Sequence, residues 1–288
     1  MIKISAIALL ILVGIGYYAF ATSSFVVTGS TGAVKIIADG RDDVVLRAER
    51  ALLCLRRDKP IITGLQLQQT DGRCPAAVYK NLDLDRTELV WEKGAEYLIT
   101  SPEAGYYEIE VRVAANTVIL DANGEYLALS DNSRIVLFSQ NAVSALPFSG
   151  SVTIGDIPVA GSNRFLINGT YEVRDALLAR KVSIPSRSGS FFPGDVVSFA
   201  TGNRAQDVAR GLVFLDPSQQ SGMRFSAYSI GGAHALNVVR PSTSPVLIQS
   251  TFLDRIQADP LIIGISFIFA AFVGLLEALG HFRSERDR

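Results

Sequence analysis

Tyr107-Glu-Ile-Glu-Val-Arg-Val113 alternates apolar and charged side chains without a break. A period of two puts Tyr107, Ile109, Val111 and Val113 on one face of an extended chain and Glu108, Glu110 and Arg112 on the other. The stretch is therefore read as a β-strand with one covered face and one wet face. Just downstream, residues 117–129 read Thr-Val-Ile-Leu-Asp-Ala-Asn-Gly-Glu-Tyr-Leu-Ala-Leu. Two short apolar runs flank Asn123-Gly124, a pair that accepts the positive φ of a tight hairpin turn.

The same grammar extends in both directions. Upstream, Ala33-Val-Lys-Ile-Ile-Ala38 ends at Asp39-Gly40, and Leu89-Val-Trp-Glu92 and Glu96-Tyr-Leu-Ile-Thr100 flank Lys93-Gly94 as a second expected hairpin. The piece 42–58 fits both periods and is read as strand. Downstream, strand-like runs recur from Arg134-Ile-Val-Leu-Phe138 to Ala235-Leu-Asn-Val-Val-Arg240, and Pro193-Gly194 marks a turn before Asp195-Val-Val-Ser-Phe199. Many short strands at this spacing predict a mostly β fold, a sandwich or a barrel-like body of one or two domains. A pause near Ala145-Leu-Pro-Phe-Ser-Gly150 is the expected boundary, dividing the body into a β domain at 22–145 and a second β region at 146–258.

Both ends differ from this body. Residues 260–280 are free of charge until Glu277, and eleven of the residues from Leu261 to Leu276 are Leu, Ile, Phe or Val. At about −0.5 kcal/mol each, insertion into a bilayer is favoured by roughly 5 kcal/mol, and about twenty residues at 1.5 Å rise span its hydrocarbon layer. A transmembrane helix is expected at 259–280, followed by a short cytoplasmic tail at 281–288. Residues 1–21 form a second apolar run behind a single Lys3, read as a signal anchor or transmembrane helix, with a cleavable signal peptide as the alternative because Ala19-Phe20-Ala21 has a small-x-small pattern. His281, Arg283, Arg286 and Arg288 flank the far side of the second span, and positive charge stays inside. Both termini are then cytoplasmic, and the body lies outside, in the periplasm or beyond the plasma (inner) membrane of a bacterium. Ala270, Gly274 and Ala278 recur every four residues and mark a face for close helix packing.

Composition narrows the function classes. The 288 residues carry a net charge of −1 with Lys and Arg scattered among Asp and Glu, which leaves no basic face for nucleic acid. The two cysteines, Cys54 and Cys74, are expected to form a disulfide in an oxidising compartment, with two buried thiols as the alternative. Two thiols do not make a four-ligand metal site, and Asp121, Asn123 and Glu125 lack the spacing of a calcium loop, so neither metal nor cofactor is expected. No serine-hydrolase, zinc-protease or phosphate-loop signature is present. Asp83 and Asp85 share a strand face and His234 is the body's only histidine. These three residues are the candidates for acid-base chemistry, although no catalytic residue is assigned.

Trp91, Tyr97, Tyr106 and Tyr107 fall close together in the chain; rings exposed on a β face would stack on a sugar or a peptide, while core packing is the default for aromatics on strands. The sequence thus predicts a membrane-anchored extracytoplasmic β protein that acts as a binding or scaffolding subunit of a cell-envelope complex. Its expected partners are the lipid bilayer and a membrane or envelope protein, or a second copy. The alternative is a membrane-tethered hydrolase acting on envelope glycan or peptide.

Overall fold

The computed structural model describes residues 23–251, apart from 42, 58–73, 76, 103–104, 122, 139–144, 177–182, 202–206, 216–221 and 231–234, and in addition Asp254, Gly264, Phe267 and Ala271. Among these residues the regular structure is β. Strands β1 (Ser23–Thr31), β2 (Ala33–Ala38), β3 (Val45–Arg56), β4 (Tyr79–Val90), β5 (Glu96–Thr100) and β6 (Tyr106–Val113) come first. They are followed by β7 (Val118–Leu120), β8 (Tyr126–Ala128), β9 (Arg134–Phe138), β10 (Leu146–Ile154), β11 (Leu166–Ala176) and β12 (Ser183–Phe191). The last are β13 (Val196–Ala200), β14 (Val208–Leu215), β15 (Met223–Ser229), β16 (Ala235–Val239) and β17 (Val246–Ile248). The mostly β expectation holds, and the ambiguous piece 42–58 contains β3.

The chain divides into two compact units, one of residues 24–171 and 189–249, the other of 172–188 with the residues before 24 and after 249. In the larger unit an antiparallel ladder runs β2-β5-β6-β9-β3-β4-β7-β8. The alternation is realised from Tyr107 to Arg112: Tyr107, Ile109 and Val111 are buried, Glu108, Glu110 and Arg112 are not, and Val113, expected on the covered face, is exposed at the strand end. The wet face is stitched by cross-strand ion pairs, Lys35 to Glu96 at 2.9 Å and Arg134 to Glu108 at 3.0 Å.

Strand β10 is the junction. One of its edges pairs with β2 from Gly150↔Ala38 to Ile154↔Val34. Its other edge pairs first with β14 and then, from Thr153, with β13, which continues to β16 and β17. Strands β14 and β15 pair in turn, and β15 pairs with β1. The segments 22–145 and 146–258 therefore share one sheet across the expected boundary. The ladder runs out at β8 and at β17, so the sheet is open and not a closed barrel. At Gly150 the backbone has φ +150°, and a Cβ there would lie within 2.1 Å of the Ile37 carbonyl oxygen, so β10 approaches β2 as closely as it does only because this residue has no side chain.

Two expected turns take a different form. The β7–β8 hairpin exists, yet only Gly124 of the Asn123-Gly124 pair has positive φ. The Gly124 N–H donates to the Asp121 carbonyl at 3.1 Å and the Asp121 N–H to the Glu125 carbonyl at 3.1 Å, a three-residue loop closed by one left-handed residue. The Lys93-Gly94 turn is also present, with the Ala95 N–H donating to the Glu92 carbonyl at 3.0 Å. It does not make a hairpin: β4 pairs with β3 and β7 while β5 pairs with β2 and β6, so the turn carries the chain from one part of the ladder to another.

The Cys54–Cys74 disulfide is present, with Cα atoms 5.8 Å apart. It packs in a buried cluster with Tyr79, Tyr106 and Val136. Of the apolar ends, Gly264, Phe267 and Ala271 have helical backbone, and Phe267 is 72% exposed. The rest of 1–21 and 259–280, including Ala270, Gly274 and Ala278, lies outside the described residues. Among the described residues no helix is long and apolar enough to cross a membrane.

Candidate functional site

The four aromatic residues expected on a binding face are interior. Trp91 and Tyr97 stack with centroids 3.9 Å apart and planes 10° from parallel, both buried. The Tyr107 hydroxyl donates to the Val213 carbonyl at 3.3 Å inside the core, and Tyr106 covers the disulfide. Neighbours on a strand point to opposite faces, and both faces of β6 are covered at its start, so Tyr106 and Tyr107 are both enclosed. Burial, and secondarily the negative charge of Asp39, pushes the Tyr97 hydroxyl well above the ordinary tyrosine range. These rings build the core and leave no stacking surface, which corrects the ligand-binding expectation.

Asp83 and Asp85 lie on the exposed face of β4, Asp85 directly across from Arg50 on β3. The arrangement is an open, solvated strand face without an enclosing cavity. His234 lies outside the described residues. Among the described residues no group of three or more His, Cys, Asp or Glu side chains could hold a metal.

Two features that the sequence reading passed over carry more. The first belongs to the smaller unit, where Asp175 on β11 is buried and its two carboxylate oxygens accept from two hydroxyls, Ser23 Oγ at 2.5 Å and Ser250 Oγ at 2.7 Å. Ser23 follows the apolar segment 1–21 after Thr22, and Ser250 precedes 259–280 by nine residues. Immediately after Ser250 the Thr251 hydroxyl accepts from the Asp254 N–H at 3.2 Å, and the Asp254 carboxylate accepts from the Thr251 N–H at 3.0 Å. This is the reciprocal capping box with an acidic third residue. The Thr251 N–H foremost, then the Thr251 hydroxyl, helped by the nearby Arg187 charge, hold the Asp254 carboxyl below the usual range.

The second feature is an open groove of about 590 Å³ in the larger unit, on the outer face of β1, β11 and β15. The registers lay its side chains out in rows. Leu212, Ser226 and Thr28 are directly opposite one another on β14, β15 and β1, and the Thr28 and Thr170 hydroxyls lie 3.1 Å apart. The next row is Phe214, Arg224 and Ser30; the one on the other side is Arg210, Tyr228 and Val26. Arg210 is committed to Asp43 at 2.9 Å. Arg224 is exposed and has no ion pair among the described residues. Only the alternation in Met223-Arg-Phe-Ser-Ala-Tyr228 hinted in the sequence that Arg224, Ser226 and Tyr228 share a face. A second recess of similar size lies beside the exposed loop of Ile157 and Val159, with Glu108 and Arg164 in its wall.

Compared with protein-family models, with curated proteins and with solved structures, the chain matches none. The functional argument therefore rests on the geometry of the chain's own residues.

Proposed function

We propose that this chain is a membrane-anchored, extracytoplasmic β protein that serves as a binding or scaffolding subunit of a cell-envelope complex. Helices at 1–21 and 259–280 tether the β body to the outer side of a bacterial inner membrane, and both termini are cytoplasmic. The observation that supports this best is the meeting of Ser23 and Ser250 on one buried carboxylate, Asp175. Two hydroxyls on a single carboxylate are necessarily a few ångströms apart, so the residues that adjoin the two apolar ends are neighbours within the smaller unit. A body held there by two adjacent anchors keeps its grooves and loop tips free for a partner. The capped helix start at Thr251 supports the reading further, because it sets the direction of the chain toward the apolar segment. A hydrolase would draw on Asp83, Asp85 and His234, of which Asp83 and Asp85 stand exposed on a strand face.

The test combines topology with isolation. A cysteine placed at Val159 is expected to react in intact cells with a membrane-impermeant maleimide, and one placed at Ser284 only after lysis. Purification in mild detergent without reducing agent is expected to return an intact chain with a stoichiometric partner, read by mass spectrometry. Labelling of Ser284→Cys in intact cells, or isolation as a lone monomer, would overturn the proposal.

A further inference from the structure

We propose that the outer face of β1, β11, β14 and β15 is a binding site for a linear acidic glycan, one whose carboxylate pairs with Arg224. This names the ligand class for the exported body and rests on the outward orientation proposed above. Three observations carry it. First, the groove is open and its lining sets the rings of Phe191, Phe214 and Phe225 among short neutral hydrogen-bonding groups, with Thr28, Asn168, Thr170, Ser190 and Ser226 supplying hydroxyls and one amide. The polar groups donate and accept at fixed spacings, about 4.8 Å across strands and about 6.6 Å between alternate residues of one strand, and with the rings between them they match a sugar polymer, which presents both hydroxyls and apolar ring faces.

Second, charge and ring stand at suitable places. Tyr228 is 47% exposed and shares the outer face with Arg224. Four residues at about 3.3 Å each separate them by roughly 13 Å, room for a short oligosaccharide. A half-exposed ring offers an apolar face to the axial hydrogens of a pyranose, and a planar guanidinium takes a carboxylate through two parallel hydrogen bonds. Third, the two arginines of this face are treated differently. Arg210 is neutralised by Asp43, while Arg224, flanked by Phe214 and Ser30, keeps its charge for a ligand.

The experiment uses the full chain in mild detergent and biolayer interferometry on immobilised alginate oligosaccharides, with dextran oligosaccharides of equal length as the neutral control. Retention on alginate and not on dextran is expected, weakened about tenfold or more by Arg224→Gln. Arg224→Lys should fall between, since it keeps the charge and loses the fork. Tyr228→Ala should weaken retention several-fold, and unchanged urea midpoints for the three variants will show that the body is folded. Absence of retention on alginate, or retention indifferent to Arg224→Gln, overturns the proposal. So does loss of a co-purifying protein in Arg224→Gln that alginate does not displace, which would assign the face to a protein and leave the scaffold reading standing. Conversely, alginate binding by a chain whose labelling contradicts the two-anchor topology would sink that topology and keep the glycan site.

Discussion

Replacing Gly150 by alanine tests the junction between the two halves of the larger unit. Gly150 has φ +150°, and the new Cβ would lie 2.1 Å from the Ile37 carbonyl oxygen and 2.8 Å from its carbon, both backbone atoms that no rotamer can move. Holding an L-residue in this conformation costs about 1–3 kcal/mol. Relieving the overlap pulls β10 from β2, and losing two of the backbone hydrogen bonds between them adds about 1 kcal/mol each. The sum is about 3–5 kcal/mol, a large part of a domain's usual 5–15. Gly94→Ala is the internal control: its φ is +88°, also positive, but nothing lies within 4 Å of the added Cβ, so only the conformational cost of about 1 kcal/mol applies. Trp91 is the only tryptophan and is buried against Tyr97, so its fluorescence reports unfolding of this unit. With a urea slope of about 3 kcal/mol/M, Gly150→Ala should lower the midpoint by more than about 1 M and Gly94→Ala by about 0.3 M. Equal shifts for the two variants would refute the β10–β2 contact as described.

Three further outcomes follow from the same structure. Cys54→Ala with Cys74→Ala should lower stability by about 3 kcal/mol, because the bond closes a loop of 20 residues in the unfolded chain; an unchanged midpoint in non-reducing buffer would contradict this. Asp195 is buried and accepts from the Phe192 N–H at 2.9 Å and from Arg240 Nε at 3.2 Å. Asp195→Ala should cost about 2–3 kcal/mol, less than a fully enclosed pair would because Arg240 is partly in water, and a double-mutant cycle with Arg240→Ala should show coupling above about 1 kcal/mol. The Asp121 carboxylate accepts the backbone N–H groups of Glu125 at 2.8 Å and Asn123 at 2.9 Å, and these bonds, the Glu125 one foremost, hold its carboxyl below the usual range. A lowered folded pKa stabilises above the unfolded value and is lost as pH falls through the folded one. The advantage of the native chain over Asp121→Asn should therefore be present at pH 6 and shrink below about pH 4; an advantage that grew with acid would show the sign to be wrong.

How far the residues could be read in advance depended on the range of the interaction. Tyr107 to Val113, the turn at Asn123-Gly124, the capping pair Thr251 and Asp254 and the strand character of 42–58 are local patterns, set by the pleat, by φ and by hydrogen bonds a few residues apart. Each is present, with Asn123-Gly124 serving a loop one residue longer than expected. The Lys93-Gly94 turn was legible as a turn but not as a crossing between ladder positions, because a turn's sequence specifies its own bend and not the partners of the strands it joins. Trp91, Tyr97, Tyr106 and Tyr107 had core packing as their default reading, and burial decides for it; their sequence left the binding reading open because an aromatic ring favours a strand in either place.

The sequence by itself determined the strand grammar, the apolar character of 1–21 and 260–280 and the availability of one cysteine pair. Tertiary structure alone decided that β10 joins both halves of the body and that Asp175 collects Ser23 and Ser250. It alone decided that Ser226 stands opposite Thr28, whose hydroxyl meets that of Thr170, with Arg224 one row away. The reason is that pairing register between residues 100–200 positions apart depends on which wet and dry faces come together once the core is buried. No single stretch of chain contains that information.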